Sequence, residues 1–175
     1  MDAHETAEVH HSPSSWQQPC PQPASAERTT LVEDIAERVL ALSPGRLLIG
    51  IDGFTAAGKT SFGHELAQRV TKSGRPALRA TLDDFKNPWK DRHLYDRESG
   101  EGYYRNAYAY ETAKHLLLDP TRSPEATSCA LCSIDPLTQE DHAAQTTPLA
   151  EVDPLPRMDA VVDNRDFARP KLLTS

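Results

Sequence analysis

The sequence predicts an α/β fold in which a parallel sheet is flanked by helices. Three observations carry that reading. An apolar run, Leu47 to Ile51, leads into a glycine-bounded loop, and the loop leads into a segment with helical spacing. A second short apolar run, Ala77 to Leu82, follows that segment, so strand, helix and strand fit one βαβ unit of about 30 residues. A right-handed crossover makes the two strands parallel and brings their carboxyl ends to one edge.

The loop is the most specific feature. Gly53-Phe54-Thr55-Ala56-Ala57-Gly58-Lys59-Thr60, followed by Ser61, fits the phosphate-binding pattern of Gly, four residues, Gly-Lys and then Thr or Ser. Gly53 and Gly58 allow the backbone to curl so that successive N–H groups face one anion, where a side chain would fill the space. Lys59 is placed to reach the β- and γ-phosphates, the Thr60 hydroxyl to meet Mg²⁺, and the helix that follows directs its positive end at the ligand. The fold class expected is therefore a P-loop NTPase-type parallel sheet, with a nucleotide triphosphate as ligand.

Around this loop the elements fall in order. Residues 1–28 are rich in Ser, Gln, His and Pro and poor in large apolar groups, the composition of a disordered tail. From Thr30, a capping box with Glu33 opens a helix whose apolar face is Leu31, Ile35, Val39 and Leu42, and Pro44-Gly45 ends it. After the loop, Phe62, Leu66 and Val70 recur at four-residue spacing until Ser73-Gly74. Asp83 and Asp84 then leave the second strand at the edge that carries the loop. Two carboxylates there either hold Mg²⁺ and take a proton from an attacking hydroxyl, or make turn hydrogen bonds.

These residues, together with others further on, resemble the uridine kinase and phosphoribulokinase group of P-loop kinases. Ile51-Asp52-Gly53 before the loop and Thr81-Leu82-Asp83-Asp84-Phe85 after the second strand carry the likeness first. Glu98 to Arg105, Leu116 to Pro120, Ile134 to Gln139 and Asp159 to Asn164 are similar to segments of uridine kinase-like members. The resemblance spans roughly residues 46–142 and 150–172. It implies an ATP-dependent kinase that passes the γ-phosphoryl group to a hydroxyl of a nucleoside or related small metabolite. Asp83 matches the catalytic base and metal partner, and Lys59 and Thr60 match the phosphate lysine and the Mg²⁺ hydroxyl. Asp84, Tyr104 and Arg105 are the candidates for binding the acceptor, with helix packing as the other reading of the tyrosines. Where relatives carry Asp-Ala-Phe-Asp, this chain has Asn106-Ala107-Tyr108-Ala109.

The departure with the largest consequence lies between about residues 143 and 151. Gln145-Thr-Thr-Pro-Leu-Ala150 passes directly to Glu151, where the resemblance implies two further strands and an arginine-bearing lid. At about 30 residues per βα unit, some 60 residues are missing. The region 121–156 is expected to be mostly irregular, and residues 29–175 to form one incomplete kinase-like domain. A lid arginine is worth roughly 10³–10⁵ in rate, so the alternative to an active kinase is a nucleotide-binding remnant or interaction protein without turnover.

Composition narrows the classes. Among 175 residues, a net charge of −7 argues against a nucleic-acid binder. No apolar run reaches the length of a membrane span, and the first residues do not open a secretory signal, so a cytoplasmic location is expected. The sequence leaves oligomeric state open. Three cysteines do not make a disulfide framework. Cys129-Ala-Leu-Cys132 has zinc or redox spacing, but the chain offers no second pair to complete a structural zinc site, and no strand-then-helix context was evident for a redox motif.

Overall fold

The computed structural model describes residues 9–16, 25–92, 95–96, 98–149, 160–163 and 171–174. In chain order its elements are β1 (Val9–His11), α1 (Ala26–Leu42), β2 (Ile49–Asp52), α2 (Lys59–Lys72), β3 (Ala77–Arg79), α3 (Gly100–Ala107), α4 (Tyr110–Ala113), α5 (Asp119–Arg122), β4 (Ser128–Ala130), β5 (Thr146–Pro148), β6 (Ala160–Asp163) and β7 (Lys171–Thr174). Tight 3₁₀ turns cover Leu82–Phe85 and Trp89–Asp91, and a π-helical turn, Lys114–Leu118, joins α4 to α5. The chain divides into two compact units. The first holds Met1–His10, Gln18–Arg79 and Val152–Ser175; the second holds His11–Gln17 and Ala80–Glu151.

In the first unit, α1 begins a turn before the capping box at Thr30. The Ser25 side chain accepts the Arg28 N–H at 3.3 Å and so caps the helix there. The Thr29 and Thr30 hydroxyls then bond back to the carbonyls of Ser25 and Ala26, as threonines inside a helix do. Arg28 is drawn inward by Glu65 of α2, its Nε lying 2.9 Å from the carboxylate, and its guanidinium sits 5.9 Å from the centre of the Phe62 ring. The buried apolar cluster is Val32, Ile35, Ala36 and Val39 of α1 with Phe62 and Leu66 of α2, and Leu31, Leu47, Ile49, Ile51 and Val70 pack against it. Of the face read from the sequence, Leu42 lies outside this cluster and is 38% exposed.

The strands show where the expected sheet departs from the observed one. β2 pairs with β6 in parallel, Ile49 opposite Ala160 through Asp52 opposite Asp163, and β6 pairs antiparallel with β7. β3 belongs to a separate two-stranded sheet with β1. The βαβ reading made β2 and β3 parallel strands of one sheet, with the second strand running to Leu82. In the structure they are not hydrogen-bonded to each other, and the second strand stops at Arg79. The backbone groups of β3 still need partners, and β1 supplies them from the segment expected to be a disordered tail. Helix α2 nonetheless lies against both strands. A Cβ at Gly63 would stand 2.8 Å from Nη1 of Arg79 on β3 and 3.2 Å from Cδ1 of Ile51 on β2. The architecture is thus mixed α/β with one small parallel pair. Asn164 and residues 150–159, which carry part of the family resemblance and the last two residues of the proposed junction, lie outside the described residues, as do residues 1–8 and 17–24.

The second unit is built differently. Thr81 caps the turn Leu82–Phe85 by accepting the Asp83 N–H at 3.3 Å, and Phe85 is fully buried. Ser99 caps α3 by accepting the Gly102 N–H at 2.9 Å. Gly102 is required there because a Cβ would collide with the backbone carbonyls of Asp96 and Tyr95. β4 and β5 pair antiparallel, Ser128 opposite Pro148 through Ala130 opposite Thr146. Within the stretch 121–156, expected to be mostly irregular, the chain thus forms two short strands, of which β4 is largely buried. Cys129, Ala130, Leu131 and Cys132 are all at most 2% exposed. The run is too short and too rich in Ser and Cys to signal burial, although free cysteine packs as a small apolar group.

Candidate functional site

The glycine-bounded loop Gly53–Gly58 is positioned by β2 in front of it and α2 behind it, all within the first unit. Gly58 has φ +74° and serves as the N-cap of α2, a left-handed position that suits glycine. Ala56 also has positive φ, +61°, which costs a residue with a Cβ about 1–2 kcal/mol. Strain of this kind concentrates at ligand-binding loops. The Ala57 N–H bonds to the Phe54 carbonyl at 3.1 Å, and the first helical bond runs from Phe62 N–H to the Gly58 carbonyl at 2.9 Å. Lys59 folds back over the loop, with Nζ donating to the carbonyls of Gly53 and Phe54 at 2.8 Å each. Its charge is therefore held at the mouth of the loop. Thr60 and Ser61 start α2, half-buried, while Thr55 and the Phe54 ring, 70% exposed, project from the loop. Arg79 donates to the Thr60 carbonyl at 3.4 Å, a support that the sequence reading missed.

The acidic pair lies in the second unit, and its two members differ. Asp83 is accessible, with about a third of its side chain exposed, and is paired with Lys86 at 2.9 Å. Asp84 is 1% exposed. Burial pushes its carboxyl up from the ordinary value, against hydrogen bonds from the Ser12 and Ser14 hydroxyls, while the charges of Asp83 and Asp135 push the same way as burial. Its backbone carbonyl accepts the Ser133 N–H at 2.9 Å. Expected as an acceptor-binding group, Asp84 is covered in this structure by residues 12–15.

Tyr104 and Arg105 lie on the exposed side of α3. The Tyr104 ring packs on Tyr110 with centroids 5.2 Å apart, and Arg105 pairs with Glu101 at 2.6 Å and lies 5.0 Å from the centre of the Tyr95 ring. The aromatic contacts continue from Tyr110 to Tyr108 at 5.8 Å and from Tyr108 to Tyr103 at 5.9 Å, where the two hydroxyls meet at 3.2 Å. Lys86, the partner of Asp83, stands 5.8 Å from the Tyr108 ring centre. Burial lowers the pKa of Arg92, against the opposing influence of Tyr103, Asp83 and Tyr108. Asp83, Lys86, Arg92 and the tyrosine row thus form one neighbourhood. Asn106 is 7% exposed, and its carbonyl accepts from Asn87 at 2.8 Å.

The structure therefore groups the predicted residues in two sets, Gly53 to Ser61 in the first unit and Asp83, Asp84, Tyr104 and Arg105 in the second. As a Mg²⁺ ligand the Thr60 hydroxyl suits a cation that takes one or two protein oxygens and completes its shell with phosphates and water. Among the described residues no group of three His, Cys, Asp or Glu is placed to hold a metal by itself. Cys129 and Cys132 are buried free thiols, and burial is the main cause that pushes Cys132 up to about 12, far from a reactive thiolate. No helix among the described residues is long and apolar enough to cross a membrane.

One further buried carboxylate, Asp135, escaped the sequence reading. Burial works against its ionisation, but the N–H groups of Thr138, Ser15 and Leu137 and the Ser15 hydroxyl outweigh it and hold the carboxyl well below the usual range. The signal available was Asp135-Pro-Leu-Thr138, an aspartate followed by a turn. No family model, curated protein or solved structure matches the chain.

Proposed function

We propose that the chain binds the phosphates of ATP with Mg²⁺ at Gly53–Ser61 and belongs, by descent, to the uridine kinase-like P-loop kinases, with a small hydroxylated metabolite as acceptor. The observation that carries this reading is the loop itself. A left-handed Gly58 opens α2 beside a lysine folded over the loop mouth, at the end of a strand in a parallel pair. That is a ready anion site, because the first N–H groups of the helix lack intrahelical partners and the helix end is positive. In this reading Lys59 moves from the Gly53 and Phe54 carbonyls to the β- and γ-phosphates. Mg²⁺ at Thr60 would balance phosphate charge, and Asp83 would accept the proton of the attacking hydroxyl.

A second reading, the non-catalytic remnant, is favoured by a separate observation: β2 and β3 are not partners in one sheet. Two measurements separate the readings. ATP binding that Lys59→Ala weakens by roughly 10–100-fold, the worth of a charge-assisted bond to phosphate, supports either one. Phosphorylated product from labelled ATP and a panel of nucleosides and sugars supports the kinase alone. Absence of nucleotide binding by the wild-type chain would sink both.

A further inference from the structure

The segment Ser12-Pro13-Ser14-Ser15 is short and rich in hydroxyl groups. Ser14 is 2% exposed, and the segment meets two buried carboxyls of the second unit. The Ser12 and Ser14 hydroxyls act on Asp84 in the direction that lowers its pKa, and Ser12 acts likewise on the Cys132 thiol. Ser15 Oγ donates to Asp135 Oδ1 at 2.9 Å, and its backbone N–H donates to Oδ2. Asp84 and Asp135 are 1% and 2% exposed.

Neither carboxylate depends on the serines for its placement. Asp84 is fixed through its backbone carbonyl by Ser133, and Asp135 receives the Leu137 and Thr138 N–H groups at 2.7 and 2.8 Å. Buried polar atoms in a purely structural network are normally all matched. Here Oδ1 of Asp84 is buried and has no hydrogen-bond partner among the described residues. The site therefore has more acceptor capacity than the segment uses. What the segment presents to it is a short chain of carbon carrying several hydroxyl donors, which is also what a sugar or sugar alcohol presents.

We propose that Ser12–Ser15 is a built-in occupant of a polyol-binding site made by Asp84 and Asp135, and that a small polyhydroxylated ligand displaces it. Identifying that ligand as the phosphate acceptor rests on the kinase reading; the competition itself does not. Because the ligand meets an open site only in the fraction of molecules whose segment is released, its apparent affinity falls by that fraction. The segment thus sets a threshold for ligand concentration.

The test uses the full chain with D-ribose and ribitol as probes and residue-resolved amide hydrogen exchange as readout. The Ser15 and Trp16 amides report the segment directly, since they donate to Asp135 and to the Ser14 hydroxyl. Displacement accelerates exchange at these two amides, saturably, whereas the general exclusion of polyols from protein surfaces slows exchange everywhere. The combined variant Ser12→Ala, Ser14→Ala and Ser15→Ala should bind the same probe roughly tenfold more tightly, the effect of about one net hydrogen bond removed from the competition. Asp84→Asn should remove the exchange response. Unchanged exchange at Ser15 and Trp16 under saturating probe overturns the proposal, and needs no variant to fold. Nucleotide binding is measured on the same sample. ATP binding without a probe response defeats this site alone, and a probe response without ATP binding defeats the kinase reading while leaving this site standing.

Discussion

The interiors of the two compact units differ in their polar content: among the described residues the first buries Arg28 and His64, and the second buries seven polar residues. The first is held by an apolar seam between α1 and α2, in which Val32, Ile35, Ala36, Val39, Phe62 and Leu66 exclude water. The second buries Phe85, Leu131 and Leu149, yet also Ser14, Asp84, Asn106, Thr121, Ser133, Asp135 and His142. An apolar seam tolerates change in proportion to the volume removed, because its driving force is non-directional. A polar interior depends on particular donors facing particular acceptors, and loses most when one partner is removed. The difference teaches that similar burial can rest on volume in one unit and on pairing in the other.

Five substitutions test this contrast, in order of expected effect. Phe62 is fully buried at the centre of the seam, so Phe62→Ala should cost about 3–5 kcal/mol in urea denaturation followed by far-UV circular dichroism. A loss below about 1 kcal/mol would mean that the seam is not what holds the first unit. Asp135→Asn changes almost no volume but removes the charge that four donor groups face. We expect a loss of about 2–3 kcal/mol at pH 7.

The pH dependence of that second loss follows from the sign of the shift. The folded pKa of Asp135 is depressed, so its stabilising contribution is complete above the unfolded carboxylate value of about 4 and disappears as pH falls towards the folded value. The gap between wild type and Asp135→Asn should therefore narrow in melts taken from pH 7 down to pH 3. A gap that widens on acidification would rule out the ionised, multiply bonded carboxylate.

Smaller effects sharpen the local claims. Gly102→Ala gains helix propensity but drives a methyl group into the carbonyls of Asp96 and Tyr95, for a net loss of about 1–2 kcal/mol in thermal denaturation. Stabilisation by this change would show that the close approach is absent in solution. Ser25→Ala removes the cap of α1 and should lower stability by about 1 kcal/mol, while Thr30→Ala should matter less, because the Thr30 hydroxyl bonds back to the Ala26 carbonyl inside the helix. The reverse ranking would restore Thr30 as the start of α1.

The same contrast explains how much of the molecule was legible in its sequence. Helical spacing announced Ile35, Val39, Phe62 and Leu66, because apolar periodicity needs no knowledge of the partner. The left-handed turn at Gly58 and the start of α2 just after it were legible because a glycine-bounded loop between an apolar run and a helical spacing marks a strand-to-helix turn. Asp135 and Ser12 to Ser15 were not, since a polar side chain becomes an interior residue only when a donor from 120 residues away arrives, as Ser15 does. The start of α1 was misplaced for a related reason: Arg28 is drawn inward by Glu65, a pairing no local rule reveals. β1 was hidden within a composition that reads as tail.

The uneven distribution of aromatic side chains has an optical consequence. All five tyrosines, at 95, 103, 104, 108 and 110, and both tryptophans, Trp16 and Trp89, fall in the second unit. The first unit, which contains the loop Gly53–Gly58, is dark above the phenylalanine absorbance. Intrinsic fluorescence of this protein therefore reports one unit only. A tryptophan signal that moves when nucleotide is added would register an event in the unit that does not carry the loop.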